Sequence, residues 1–311
     1  MLTRLGFATA ALDAKILTGH ALGLDSLALS LREDDPVADQ AAEHVAQLIQ
    51  RRMGGESVGR IIGEREFYGL AFGLNSATLE PRPETELLVD LAIKRLPQGG
   101  RLLDLGTGTG CVPVSVLVNR PDAIAVATDL AAEALDMGRR NAGRHGVEER
   151  LGFLQGDWFA PLRLLPLDGE GWEGEREATM LALSTPHPTP PRKGERVRSG
   201  MFDLIVSNPP YIASSVIETL SPEVKDFDPL LALDGGPDGL APYRVIAAEA
   251  GAFLKPGGQV MVEIGLDQGE AASALFGQSG FQDIAVHKDL AGLDRVVVAH
   301  HMGKRTAQPQ R

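Results

Sequence analysis

Apolar positions fall at helical spacing from Leu2 to about Met53, with Leu12, Ile16 and Leu17 on one face and Val45, Leu48 and Ile49 matching them later. Asp35-Pro36 marks a boundary between helices, and Arg51-Arg52 before Gly54-Gly55 reads as a helix end. This predicts a small helical domain over 1–53. Between Val58 and Leu79 the apolar residues come in short groups, Ile61-Ile62-Gly63, Phe67-Tyr68-Gly69 and Leu70-Ala71-Phe72, which predicts strands and turns in a hairpin linker spanning 54–79. From residue 80 the pattern alternates. A helix through Leu87, Leu88, Leu91 and Ile93, with Thr85 or a neighbour as its cap, precedes strands at Leu102–Leu105, Ile124–Thr128, Leu151–Gln155, Phe202–Val206 and Gln259–Ile264. Ile284–His287 and Arg295–Ala299 read as a closing antiparallel hairpin, and residues 303–311 as a polar tail. Alternating strands and helices over 80–302 predict an α/β domain with a doubly wound, mostly parallel sheet, whose ligands sit beyond the strands' carboxyl ends.

Four of those strand ends carry polar chemistry. The first runs into Gly106-Thr107-Gly108-Thr109-Gly110, where missing side chains let backbone approach a ligand and a helix follows. A dinucleotide fingerprint wants glycine where Cys111 stands, so that reading fails. The second strand ends at Asp129, a carboxylate placed either to bind ribose hydroxyls or to cap the helix starting near Ala131. The third ends at Gly156-Asp157-Trp158, where the indole is either a ligand platform or core. The fourth runs straight into Asn208-Pro209-Pro210-Tyr211. Asn208 brings one carbonyl acceptor and two donors, Pro210 restrains the geometry of Pro209 and so aims its carbonyl, and Tyr211 offers a flat face. Two acceptors can thus converge on one planar amide or amino group.

Composition narrows the setting. The chain has 311 residues, 43% of them hydrophobic, which is enough for two ordinary cores. Its net charge of −12 opposes sequence-independent binding to duplex DNA. The lone Cys111 forms no internal disulfide, and no signal-type start or long apolar span is present, which predicts a soluble cytoplasmic protein without membrane contact. Residues 163–200 carry Glu170, Glu173, Glu175 and Glu177 ahead of a proline-rich basic stretch with little to bury; they read as a flexible surface insertion. The sequence leaves the oligomeric state open.

Asn208-Pro209-Pro210-Tyr211 resembles the motif of Rossmann-like methyltransferases that act on a planar nitrogen. Pro81-Arg82-Pro83-Glu84-Thr85-Glu86, with Arg65-Glu66-Phe67-Tyr68-Gly69 upstream and Asp234-Gly235-Gly236-Pro237-Asp238-Gly239-Leu240 downstream, resembles the release factor glutamine N5-methyltransferase family. The resemblance covers nearly the whole chain except 163–200. It implies a Rossmann-like seven-stranded methyltransferase sheet behind a helical substrate-binding domain, S-adenosyl-L-methionine as cofactor and no metal. It further implies Gly106, Thr107, Gly108, Gly110, Asp129, Asp157, Trp158 and Asn208 against the cofactor. Asn208, Pro209, Pro210 and Tyr211 would hold the glutamine of a release factor's Gly-Gly-Gln motif, with Asn208, Pro209 and Tyr211 serving catalysis. A ribosomal-protein glutamine methyltransferase and a DNA adenine N6-methyltransferase share the motif; the second should carry a basic target-reading domain.

Overall fold

The computed structural model describes residues 2–164 and 201–303; the expected insertion, from residue 165 on, and the tail beyond 303 lie outside them. Helices α1 (Ala10–Leu22), α2 (Ser26–Leu31), α3 (Asp39–Met53) and α4 (Val58–Ile62) open the chain. Their small core is Leu17, Leu48 and Ile61. Leu12 and Ile16, expected on the buried face, are instead 56% and 39% exposed. The inward face of α1 carries Asp13, which accepts a 2.7 Å bond from buried Arg52, and that ion pair takes the place of an apolar contact. Val58–Ile62 is helical where strands and turns were expected, because the Ser57 hydroxyl caps it through the Arg60 N–H and Gly63 ends it in the left-handed region.

Strands β1 (Glu64–Phe67) and β2 (Leu70–Gly73) form an antiparallel hairpin whose turn residues, Tyr68 and Gly69, both have positive φ. Phe67 and Phe72 anchor it in the main core, and Gly73 bonds through its N–H to Asn141. A turn of 3-10 helix at Pro83–Thr85 leads into α5 (Glu86–Arg95). Thr85 takes the N-cap position of α5, one of the expected places, but its side chain makes no capping bond to that helix.

The α/β domain then alternates: β3 (Arg101–Leu105), α6 (Cys111–Asn119), β4 (Ile124–Asp129), α7 (Ala132–Arg144), β5 (Leu151–Gln155) and β6 (Phe202–Ser207). Short helices α8 (Ser214–Ile217) and α9 (Pro222–Lys225) follow, then α10 (Ala241–Phe253), β7 (Leu254–Glu263), α11 (Gly269–Gln278), β8 (Gln282–Lys288) and β9 (Asp294–His300). The seven-stranded sheet has the order β5-β4-β3-β6-β7-β9-β8, and β9 alone runs against the direction of the other six strands. β7 begins at Leu254, earlier than expected, because a bulge absorbs Lys255–Gly258. α11 carried no clear signal in the sequence.

Side chains alternate across the sheet with period two. Leu102, Ala125, Leu204, Val206 and Met261 face α5, α6 and α7, whereas Leu103, Leu105, Val126, Ile205 and Val260 face α10 and α11. Successive strands step outward from β3 in one direction and from β6 in the other. The sheet therefore has its switch point between these two strands, and the crevice outside their carboxyl ends is where such folds bind ligands. Gly106 follows β3 there and Asn208 follows β6, while the Ser207 hydroxyl bonds the Leu105 carbonyl at 2.7 Å and ties the two ends together.

Candidate active site

The glycine loop after β3 takes its shape from backbone that other residues rarely adopt. Gly106, Gly108 and Gly110 have φ of 71°, 55° and 76°. A Cβ on Gly106 or Gly108 would meet no atom within 4 Å, so these two positions open directly onto space, while a Cβ on Gly110 would press on Gly138 of α7 at 3.3 Å. Most of the loop's own N–H groups are already engaged. Gly106 and Thr107 donate to the Thr128 carbonyl at 2.9 and 3.0 Å, and Gly108 donates to Asp129 Oδ2 at 2.8 Å. The glycines thus supply room rather than donors. Asp129 also accepts from the Ala131 N–H at 3.0 Å, so it both steadies the loop and holds the turn into α7, although Ala131 itself is the capping residue.

These residues line a cavity of about 420 Å³, within the usual range of small-molecule sites. Thr107, Asp157, Trp158, Asn208 and Pro210 stand in its wall with Gly106, Gly108 and Asp129; Gly110 lies behind, against α7. Trp158 is half-buried, with φ of 44°, and packs on the sheet's second core while also facing the cavity. The indole is thus part of the core, and its place in the cavity wall leaves it available as a ligand platform. Asp157 is exposed at the rim.

A second cavity, of about 270 Å³, is lined by Pro209, Tyr211, Glu84, Glu263 and Arg295. Leu79, Arg82, Asn208 and Ala232 line both cavities and so form the wall between them. Asn208 is half-buried there and donates from Nδ2 to the Thr85 hydroxyl at 3.1 Å, which leaves its carbonyl oxygen free to accept. Arg82 is held by Asp228 at 2.7 Å, and Asp228 also binds Arg60 of α4 at 2.5 Å. The wall is thereby tied to the helical part of the chain.

Buried polar atoms ordinarily have partners. Four that do not, Asp104 Oδ2, Thr107 Oγ1, Thr128 Oγ1 and Glu263 Oε2, belong to residues lining these two cavities. Burial pushes the Asp104 carboxyl up to about 7, against a Thr107 hydroxyl that lowers it, with Asp129 nearby raising it further. Burial likewise raises Asp129, partly offset by the N–H groups of Gly108, Ala131 and Leu130. Tyr211 and Cys111 are both pushed up to about 12, mainly by burial, so neither a phenolate base nor a thiolate nucleophile is present near neutral pH. Asp104 and Glu263 had no signal of their own in the sequence, each being one polar residue in an apolar run, and Thr85 was legible only as a cap candidate within Pro81–Glu86; only the fold brings the three to the cavities.

Roomy glycines, a rim of carboxylates and an unpartnered buried acid suit a ligand with ribose-type hydroxyls and a cationic group, as S-adenosylmethionine has. Residues 1–63 match the PrmC N-terminal domain family and residues 83–164 the methyltransferase small domain family. A release factor glutamine methyltransferase from Cereibacter sphaeroides is 40% identical over 294 residues, covering 94% of this chain and 92% of that protein. One from Agrobacterium fabrum is 39% identical, covering 94% and 91%, and one from Rhodospirillum rubrum is 39% identical, covering 96% and 80%. With identity at this level over nearly the full length of both partners, the chain belongs to the release factor glutamine methyltransferase family.

Proposed function

We propose that this protein methylates the side-chain amide nitrogen of the glutamine in a release factor's Gly-Gly-Gln motif, using S-adenosylmethionine held in the larger cavity. The observation that carries this reading is the position of Asn208 in the wall between two cavities, with the glycine loop and Asp129 on one side and Pro209 and Tyr211 on the other. Asp129 accepts from the ribose hydroxyls in this reading. Asp157 and Trp158 meet the adenine, the first by hydrogen bonding and the second by its face. Asp104 pairs with the ammonium group, which satisfies a carboxylate that otherwise has a bare buried oxygen.

Bound S-adenosylmethionine supplies an electrophilic methyl group on a sulfonium. The difficulty lies with the acceptor, because an amide nitrogen shares its lone pair with its carbonyl. Asn208 Oδ1 and the Pro209 carbonyl each accept one of the substrate's amide N–H bonds, which draws electron density onto nitrogen and turns its lone pair toward the wall. Tyr211, kept as a neutral phenol, packs its face on the planar amide. The new carbon–nitrogen bond would form as the methyl's bond to sulfur breaks, its electron pair staying on sulfur as a neutral thioether, and the nitrogen would then release one of its two protons to water. No strong base is needed beforehand.

The helical domain over 1–53 is proposed to contact the release factor. Leu12 and Ile16 on α1, and Leu27 and Leu31 on α2, are each spaced by one helical turn and exposed, an apolar surface suited to a protein partner. Asn208→Ala tests the assignment of the site: kcat for transfer to a release factor should fall at least about 100-fold, as loss of an orienting and polarising contact implies. Cofactor affinity, read by calorimetry, should change little; loss of affinity without a separate catalytic defect would place Asn208 on the cofactor alone.

A further inference from the structure

Asn208 can serve as an acceptor only if its amide faces the right way round. An amide is nearly symmetric in shape, so packing alone does not choose between its oxygen and its nitrogen; the hydrogen-bond partner does. That partner is the Thr85 hydroxyl, which lies 3.1 Å from Asn208 Nδ2 and comes from the segment just ahead of α5, 123 residues earlier in the chain. A hydroxyl carries one proton and could present either a donor or an acceptor to the amide. Its choice depends on where that proton goes.

Thr85 is 2% exposed and Glu263, at the end of β7, is 1% exposed, and the Thr85 hydroxyl lies close enough to act on the Glu263 carboxyl. We propose that Glu263 and Thr85 are positioning residues that fix the orientation of Asn208: Thr85 gives its only proton to the Glu263 carboxylate, so its oxygen can only accept, Nδ2 is drawn to it, and Oδ1 is turned to the substrate. The inference rests on the reading of Asn208 as the amide acceptor given above. It gives a role to a costly feature, a buried acid lining the second cavity with one oxygen left unpartnered. A protonated Glu263 would act oppositely, since it could donate to Thr85 and let that hydroxyl donate to Asn208, favouring the flipped amide.

The charge on Glu263 is set by its surroundings. Burial pushes its carboxyl up to about 7, while Thr85, Arg295 on β9 and Arg82 lower it and Glu84 raises it. Tyr211, Tyr243 on α10 and Cys111 at the start of α6 also sense it, and all three are neutral near pH 7 because burial raises them. Asp289, which holds Arg295, is kept below its usual range. Among these groups, Glu263 is the one whose charge changes between pH 6 and 8.

The test compares wild type, Thr85→Val, Thr85→Ser, Glu263→Gln and Asn208→Ala in steady-state methyl transfer to a purified release factor, with cofactor saturating and its affinity measured separately. Wild-type kcat should fall as pH drops through about 7. Thr85→Val should lower kcat by roughly 10–100-fold, the scale of a misplaced orienting group, with cofactor affinity within about two-fold of wild type. Thr85→Ser should restore most of it. Glu263→Gln, which matches the protonated acid in shape and so preserves packing, should be impaired at pH 8 and should lose the acid limb. Wild-type kcat in Thr85→Val, equal impairment in Thr85→Ser, or an acid limb surviving in Glu263→Gln would overturn the relay. If the wild type transfers no methyl to the release factor, or Asn208→Ala keeps full kcat, it is the underlying reading of the site that fails instead.

Discussion

Asp104 sits inside β3 among leucines, and its carboxyl has no ion-pair partner among the described residues. Such a group must either meet a cation from outside or hold a proton, and burial pushing it up to about 7 leaves both within reach at neutral pH. In the free protein the sign is unfavourable to the charge. The folded state binds a proton that the unfolded chain gives up near 3.8, so this group's contribution to stability is fully present below that value and lost as pH rises through about 7. Binding of an ammonium group reverses the preference, because it favours the carboxylate. Cofactor affinity should therefore weaken by up to about tenfold for each unit below pH 7, with proton release on binding, and Asp104→Asn should remove this dependence. Calorimetry in buffers of different ionisation enthalpy measures the proton count directly; an affinity flat from pH 5.5 to 7.5 would contradict the pairing.

At the scale of elements, the cavity wall is assembled from segments far apart in the chain. Asp228 joins three of them, since it binds Arg60 of α4 and Arg82 of the Pro-Arg-Pro turn from a position after α9. Arg60 and Asp228 have side chains 8% and 3% exposed, so breaking this pair leaves a buried charge uncompensated, at a cost of about 3–5 kcal/mol. Asp228→Ala should lower the denaturation midpoint accordingly. Arg82→Ala, whose side chain is 35% exposed, should cost far less stability while loosening the wall. Equal denaturation curves for wild type and Asp228→Ala would show that the network does not hold the elements together. The strands and the glycine loop were legible because local rules govern them: apolar runs end in turn residues, and positive φ needs glycine. Val58–Ile62 was misread because five residues are too few for periodicity to separate helix from strand, and the Ser57 cap carried the only clear local signal. Thr85, Glu263 and Asp228 were illegible for a different reason. Their partners lie in other segments, and a single sequence does not say which segments meet.

For the molecule as a whole, the proposed function assigns different tasks to the two parts of the chain. The sheet domain holds both cavities, while the helical domain turns Leu27 and Leu31 outward at 69% and 77% exposure. One glutamine side chain presents little surface, so discrimination among amides has to draw on contacts remote from the reacting nitrogen. A double variant, Leu27→Asp with Leu31→Asp, should keep the thermal midpoint and cofactor affinity yet lower kcat/KM for an intact release factor by about tenfold or more, the effect of losing a central apolar contact. Transfer to a short Gly-Gly-Gln peptide should not change; equal losses on both substrates would point away from docking by this surface. Among the described residues no helix is long and apolar enough to cross a membrane. The central claim is the identity of the methylated nitrogen, and one measurement reaches it: incubation with methyl-labelled S-adenosylmethionine, a purified release factor and duplex DNA together, followed by peptide and nucleoside mass spectrometry. A single methyl group on the side-chain amide nitrogen of the Gly-Gly-Gln glutamine is the expected product. Label on adenine, with the release factor unmodified, would contradict it.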